Sequence, residues 1–394
     1  MVICHRYRLL PGKSQHRALE SILESQRQLY NAALEERIGA YRKAGLSLTY
    51  FDQTRGLTEW RKSDPDASGL PVNVQRATLK RLDGAYKRFF RRLELGGAPG
   101  FPRFSGKGRF DSFGFREFAG ITLKSGRLRF KGMPGSLRVH WHRELPEGAA
   151  INSCTFKRDP KGWSVSFAIV VESAALRPEG RAVGVDLGIS TFAALSDGGF
   201  IPSLKAAKKA EKRVRIAQRA LARRAKGSGG RRNARITLAR CHAAVARRRR
   251  EHLHQASARL VRDYDVIVVE RLSVSGLAKS ALAKDVHDAS WAKFISMLRY
   301  KAAWAGARLI EVDPANTSQE CSGCGKRVPK ALGERRHDCP HCGLSTDRDL
   351  NAARNVLNRA GVGPGLRNVA GCGMRAGENL VSDRSVCHET AIPT

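Results

Sequence analysis

Four cysteines in the last fifth of the 394-residue chain stand in two close pairs. They are Cys321-Ser-Gly-Cys324 and, after 14 further residues, Cys339-Pro-His-Cys342. Two CxxC turns at this separation offer four thiolates, which satisfy the tetrahedral shell of Zn²⁺. A closed four-sulfur shell leaves no open coordination position, so this zinc is expected to be structural rather than catalytic. His337 and His341 stand nearby as reserve ligands. The other five of the nine cysteines show no such spacing, and the odd total argues against a disulfide framework.

Three acids carry a second chemistry. Asp186 lies in Arg181-Ala-Val-Gly-Val-Asp-Leu-Gly-Ile189, where alternation predicts a strand with Gly184, Asp186 and Gly188 on one side. Glycines two positions either side of an acid leave room for a bulky ligand to approach it. Glu270 ends Val266-Ile-Val-Val-Glu270, a β-branched run that predicts a central strand buried on both faces. Its place at the C-terminal end is where open sheets hold their ligands. Asp349 follows the cysteines in Asp347-Arg-Asp-Leu-Asn-Ala-Ala-Arg-Asn355, which opens with cap-type residues and predicts a helix with Asp347 as N-cap and Asp349 in the first turn. Converging carboxylates bind Mg²⁺, and two such ions can activate a water and stabilise the departing oxygen of a phosphodiester. Structural roles compete at each position: an ion pair for Asp186, pairing with Arg271 for Glu270, and helix capping for Asp347 and Asp349. Spacing alone does not gather these acids, because 83 and 78 residues lie between them.

Such side chains need rigid supports. Val2 to Leu9 alternates as a strand that Pro11-Gly12 ends, and Ser14 is the expected cap of a helix carrying Leu19, Ile22, Leu23, Tyr30 and Ala33 on one face. Leu79, Leu82, Tyr86, Phe89 and Leu93 predict the apolar stripe of another helix, whose other faces are rich in Lys and Arg. Between residues 101 and 118 aromatics alternate with bases, a pattern that suits either base stacking or, for most of them, the core of a β region. Period-two segments follow over 120–130, 136–142, 150–157 and 163–172, as in a small barrel or sandwich.

The charge balance narrows the partners. Lys and Arg number 71 against 36 Asp and Glu, a net charge of +35, and a soluble chain with that excess implies a polyanion. About half of it falls in residues 205–262, with 20 Lys and Arg against Glu211 and Glu251. Gly227-Ser-Gly-Gly230 divides that stretch into the two arms of a helical hairpin. Nucleic acid leads as that polyanion over an anionic membrane surface, and no apolar run nears the roughly 18 residues that span a bilayer, so an integral membrane protein is excluded and no membrane partner is expected. No export signal opens the chain, so a cytoplasmic location is expected.

Taken in order, these motifs resemble the TnpB (OrfB) family of transposon-encoded RNA-guided endonucleases, relatives of the compact type V CRISPR nucleases. The matching residues are Gly184-Val-Asp-Leu-Gly-Ile189, Val268-Val-Glu270-Arg-Leu272, the four cysteines, and Asp347 to Asn355. Ala85 to Arg91, Gly100-Phe-Pro-Arg-Phe104 and Tyr300-Lys-Ala-Ala-Trp304 support them. The resemblance implies a multidomain α+β chain. A wedge β-barrel takes residues 1–13 and 96–178, with a helical recognition insertion at 14–95. A split RuvC/RNase H-like nuclease domain takes 179–314 and 346–362, with a zinc ribbon inserted at 315–345. Residues 363–394 are expected to be a disordered tail. It also implies Asp186, Glu270 and Asp349 as the catalytic Mg²⁺ ligands and Cys321, Cys324, Cys339 and Cys342 as the Zn²⁺ ligands. The implied partners are a guide RNA derived from the transposon end and double-stranded target DNA in a prokaryotic cytosol. Tyr50, Thr54, Asn73 and Arg76 map near the residues that read a short motif beside the target, with Val72 where a base would help grip DNA. Two alternatives stand beside this reading: a guide-free RNase H-like transposase or resolvase, and an RNA-guided regulator that binds without cutting. The retained acids argue against the second.

Overall fold

The computed structural model describes residues 1–178, 180–271, 289–331 and 333–362. The expectation for the 363–394 tail lies outside them. Two compact units divide the chain, with the boundary between Val171 and Glu172.

In the first unit, β1 (Val2–Leu10) leads into four helices: α1 (Lys13–Ala44), α2 (Tyr50–Ser63), α3 (Pro65–Ser68) and α4 (Val72–Glu94). Six strands follow: β2 (Ser112–Arg116), β3 (Ile121–Lys124), β4 (Arg127–Phe130), β5 (Leu137–His140), β6 (Ala150–Asp159) and β7 (Gly162–Val170). All seven strands form one antiparallel sheet in the order β2-β6-β7-β1-β5-β4-β3. Phe115 of β2 meets Phe130 of β4 with ring centroids 5.0 Å apart, so the sheet curls until it nearly closes. Its interior takes Ile3, His5, Tyr7 and Leu9 from β1, as the alternation predicts.

Three local expectations are corrected, while the core reading of the 101–118 aromatics holds at Phe110, Phe113 and Phe115. Residues 120–130 are two strands, because Ser125 (φ 48°) and Gly126 (φ 69°) form a tight turn of left-handed residues between Lys124 and Arg127. The first helix is capped at Gly12 rather than Ser14, with Gln15 Oε1 accepting from the Gly12 N–H at 3.0 Å. The α4 stripe is buried at Leu79 and Leu82, half-buried at Tyr86 and Phe89, and exposed at Leu93. Among the 101–118 aromatics, Phe101 and Phe104 face solvent.

The second unit holds β8 (Ala182–Leu187), β9 (Thr191–Leu195), β10 (Phe200–Pro202), α5 (Ala206–Ala222), α6 (Gly229–Asp263), β11 (Val266–Glu270), α7 (Trp291–Ala305) and β12 (Arg308–Val312). The cysteine ribbon then supplies β13 (Arg336–Asp338) and β14 (Ser345–Asp347), and α8 (Arg348–Arg359) follows directly. The five-stranded sheet runs β10-β9-β8-β11-β12, with β8, β11 and β12 parallel and β9 and β10 antiparallel. One face buries Val183, Val185, Leu187, Ile267 and Val269 against Leu253 and Leu260 of α6 and Phe294 and Leu298 of α7. On the other face, Val266 and Val268 pack on Val356 of α8. The basic hairpin forms as the glycines predict. Ser228 caps α6, and Arg231 donates to the carbonyls of Leu221 and Arg224 at the end of α5.

Candidate active site and metal centre

Strand alternation decides where the acids point. The valines of β8 face α6 and α7, so Asp186 faces α8. Val266 and Val268 of β11 share that side, and so does Glu270. Val185 pairs with Val269 in parallel register, which puts Asp186 and Glu270 side by side one residue further along. Asp349 arrives on the first turn of α8.

The approach of α8 is set by Gly184. A Cβ there would lie 2.1 Å from the Ala353 carbonyl oxygen and 2.7 Å from the Leu357 nitrogen. Ala352 and Ala353 are both buried at that contact. Gly184 therefore makes room for a helix, not for a ligand, which corrects the sequence expectation. The consequence is that Asp349 is carried to the sheet.

Electrostatics record the convergence. Burial pushes Asp186 up to about 8, and the negative charges of Glu270 and Asp349 add to it, while Arg348 opposes the shift. Burial also raises Glu270, against a hydrogen bond from Thr317 and the charge of Arg359. Arg271 donates its backbone N–H to the Val312 carbonyl, 2.8 Å away, and the side-chain partner of Glu270 is Thr317. Asp347 and Asp349 have separate tasks. Asp347 Oδ1 accepts from the N–H groups of Asp349 (2.8 Å) and Leu350 (3.2 Å), which is N-capping. Asp349 lies 3.8 Å from Arg348 and 3.9 Å from Arg335. An all-oxygen donor set of three carboxylates fits Mg²⁺.

Among the described residues, only Cys321, Cys324, Cys339 and Cys342 form a set of three or more His, Cys, Asp or Glu whose ligand atoms all lie within 4.8 Å of one another. The carboxylates are set wider, and neither His337 nor His341 joins the thiolates. Cys321 and Cys342 sulfurs are 3.6 Å apart, as are those of Cys324 and Cys339. A tetrahedron with Zn–S bonds of about 2.3 Å needs sulfurs roughly 3.8 Å apart, so the set fits zinc. Each CxxC is closed by its own backbone. Gly325 N–H donates to the Cys321 carbonyl (2.8 Å) and Gly343 N–H to that of Cys339 (3.0 Å), and both glycines are left-handed at φ 72° and 74°.

The four residues expected to read DNA lie in the first unit. Tyr50 opens α2 with Lys80 of α4 over its ring at 4.6 Å. Thr54 donates its hydroxyl to the Phe51 carbonyl (2.9 Å), and Asn73 donates to the Ala119 carbonyl (3.0 Å). Arg76 is exposed.

This fold is shared with the RNA-guided nucleases of CRISPR systems. The chain superposes on Cas12f1 from a cryo-EM structure of a Cas12f1–sgRNA–target DNA complex with a TM-score of 0.57 at 14% identity, covering 88% of this chain and 83% of that one. Family models match in three segments: a helix-turn-helix domain of the OrfB_IS605 type over residues 1–45, the OrfB_IS605 "Probable transposase" over 166–281, and a "Cas12f1-like, TNB domain" over 291–356. The first match covers β1 and α1, which is one continuous helix from Lys13 to Ala44. A "Putative RNA-guided DNA endonuclease" from Streptomyces pristinaespiralis is 34% identical over 361 residues, covering 89% of this chain and 88% of that protein. A protein of the same description, InsQ from Escherichia coli (strain K12), is 27% identical over 89% of this chain and 90% of its own length. The chain belongs to the TnpB (OrfB) family of RNA-guided DNA endonucleases. Among the described residues, no helix is long and apolar enough to cross a membrane.

Proposed function

We propose that the chain, loaded with a guide RNA from its own transposon end, hydrolyses both strands of target DNA at a Mg²⁺ centre on Asp186, Glu270 and Asp349. The observation that carries the site is the placing of Asp186 beside Glu270 and within reach of the charge of Asp349: burial pushes Asp186 up to about 8, and those two negative charges add to the shift. Like charges brought together at a buried Glu270 and half-buried Asp186 and Asp349 are costly in a resting fold and are relieved by a divalent cation. Asp186 and Glu270 offer oxygens from neighbouring strand ends, and Asp349 offers one from the α8 terminus, in the manner of a RuvC/RNase H-like site. Bound Mg²⁺ would supply an activated water and charge stabilisation at the departing 3′ oxygen, in a two-metal hydrolysis. The zinc-bound ribbon orders β14, and through it the helix that carries Asp349. Guide pairing carries the choice of sequence, while the protein supplies charge along the backbone and a reader of the short adjacent motif. Tyr50, Thr54, Asn73 and Arg76 are the proposed reader, on facing parts of α2 and α4. The curled sheet is the proposed wedge, and the basic hairpin lines the heteroduplex. The place of action is the prokaryotic cytosol, where the DNA lies.

The test begins with protein purified from cells that carry the flanking transposon DNA, and with sequencing of the RNA that comes with it. A supercoiled plasmid bearing the matching target should be linearised only with Mg²⁺. Asp186→Ala should abolish cutting while RNA content and target binding persist. Cutting at the parent rate by Asp186→Ala would overturn the site, and protein that cuts free of RNA would favour the guide-free transposase or resolvase.

A further inference from the structure

Glu270 is held by a neighbour that the catalytic reading does not use. Its Oε1 accepts a 2.5 Å hydrogen bond from the Thr317 hydroxyl, and the two side chains are 6% and 4% exposed. Thr317 lies in the turn after β12, and pairing of Glu270 with Val312 brings that turn alongside the end of β11. The turn has a defined shape. Asp313 Oδ1 accepts from the Ala315 N–H at 2.9 Å, and Asn316 is left-handed at φ 62°. The Asn316 carbonyl accepts from the N–H groups of Gln319 and Glu320, both at 2.9 Å.

Helix α8 grips the same stretch. Asn355, 6% exposed, spends both amide hydrogens on it, donating to the Thr317 carbonyl (2.8 Å) and the Glu320 carbonyl (2.6 Å). Asn351, fully buried, donates to the Glu320 carbonyl (2.7 Å) and accepts from the Ser322 N–H (2.9 Å). The Glu320 carbonyl thus fills both lone pairs from α8. Arg359 adds a bond to the Asp313 carbonyl (2.7 Å) and an ion pair with Glu320 (2.6 Å). Between Glu320 and Ser322 stands Cys321, the first thiolate of the zinc set.

We propose that Thr317 is a positioning residue for Glu270. Its hydroxyl occupies Oε1 and leaves Oε2 to face the metal, and Asn351 and Asn355 make that hydroxyl's place depend on α8 and the zinc ribbon. The stretch 313–322 is then a strap that sets two carboxylates at once: Asp349 through α8, and Glu270 through Thr317. This inference rests on the Mg²⁺ site proposed above. Partners that orient a metal ligand in this way typically change affinity or activity by about 10–100-fold when removed.

The test uses the purified ribonucleoprotein and the plasmid bearing its target, with cleavage measured across a Mg²⁺ titration. Thr317→Val should keep RNA, target binding and zinc content, cut about 10–100-fold more slowly at limiting Mg²⁺, and need more Mg²⁺ for half-maximal rate. Thr317→Ser should restore the parent's Mg²⁺ requirement. Asn355→Leu keeps the hydroxyl but releases the strap, and should raise the Mg²⁺ requirement as Thr317→Val does. An unchanged Mg²⁺ requirement in Thr317→Val overturns the proposal, even if that variant melts earlier or loses zinc. So does a Thr317→Ser as impaired as the valine. A parent-like Asn355→Leu overturns the dependence on α8. Glu270→Gln separates the two layers. If it cuts like the parent, the carboxylate site itself is wrong; if it is dead while Thr317→Val is unaffected, only the role of Thr317 falls.

Discussion

The thiolates come from one short stretch of chain, and each pair is closed by backbone hydrogen bonds within its own turn. The carboxylates come from two strands and a helix, and nothing local brings them together. The first set is defined by spacing. The second is defined by a parallel register, by a glycine that admits a helix and, as proposed, by a strap that ends at the first set. On that proposal, a locally closed site is the anchor for one that has no local closure. Four perturbations probe that dependence.

The largest effect should come from the anchor. Structural zinc sites of this kind hold roughly 10–16 kcal/mol of apparent binding free energy at pH 7 in small peptides. Removing zinc by chelation, or by Cys321→Ser, should unfold the ribbon and abolish cutting, and added Zn²⁺ should restore the chelated protein. Cleavage at full rate by zinc-free protein would break the link between the two sites.

Next is the pH dependence of the metal-free fold. Asp186 is raised from 3.8 to about 8, so between those values the folded state holds a proton that the unfolded chain has lost. The contribution of Asp186 to stability in Mg²⁺-free buffer should therefore be fully present below pH 4, be lost as pH rises to 8, and level off above it. Asp186→Asn should flatten this slope, and so should Mg²⁺. Melting curves of the parent and Asp186→Asn at intervals of pH check it, and two profiles of equal slope would mean that Asp186 does not hold the extra proton.

Gly184→Ala should cost about 1–3 kcal/mol, the usual range for overpacking, because its Cβ meets backbone that cannot rotate aside. Cutting should fall further than stability accounts for, since α8 must retreat with Asp349. Denaturant unfolding and cleavage rates on the same variant test this.

Asp347→Ala should be the mildest. It removes a helix cap worth about 1 kcal/mol and should slow cutting only modestly. A loss as complete as that of Asp349→Ala would exchange the roles of the two acids.

These contrasts follow what the residues disclose by themselves. The cysteine spacing is fully legible because a CxxC turn is a local object, and Asp347 as cap is legible for the same reason. Alternation along Val183–Leu187 tells which way Asp186 points, but not that Glu270 lies beside it, because the pairing of Val185 with Val269 spans most of a domain. Gly184 is visible and open to misreading: space for a ligand and space for a helix leave the same mark in a sequence. Thr49 and Asp52 form a capping box for α2, a signal present in the chain as T-x-x-D. Thr317 carries no signal at all, because its role exists only once β12 lies next to β11. Resemblance to a family supplied the meeting of the three acids, which periodicity could not.

One last feature bears on how the molecule behaves in solution. Helix α6 is 35 residues long, about 52 Å at 1.5 Å per residue, and its buried residues begin only at Val245. The first half packs on α5 and carries Arg231, Arg232, Arg235 and Arg240. Laid along a nucleic acid, as proposed, such an arm would displace condensed counterions, and each phosphate it neutralised would steepen the fall of log K with log[salt] by about 0.7–0.9. On that proposal, ionic strength would act as a dial on the arm's hold, independent of any base that is read.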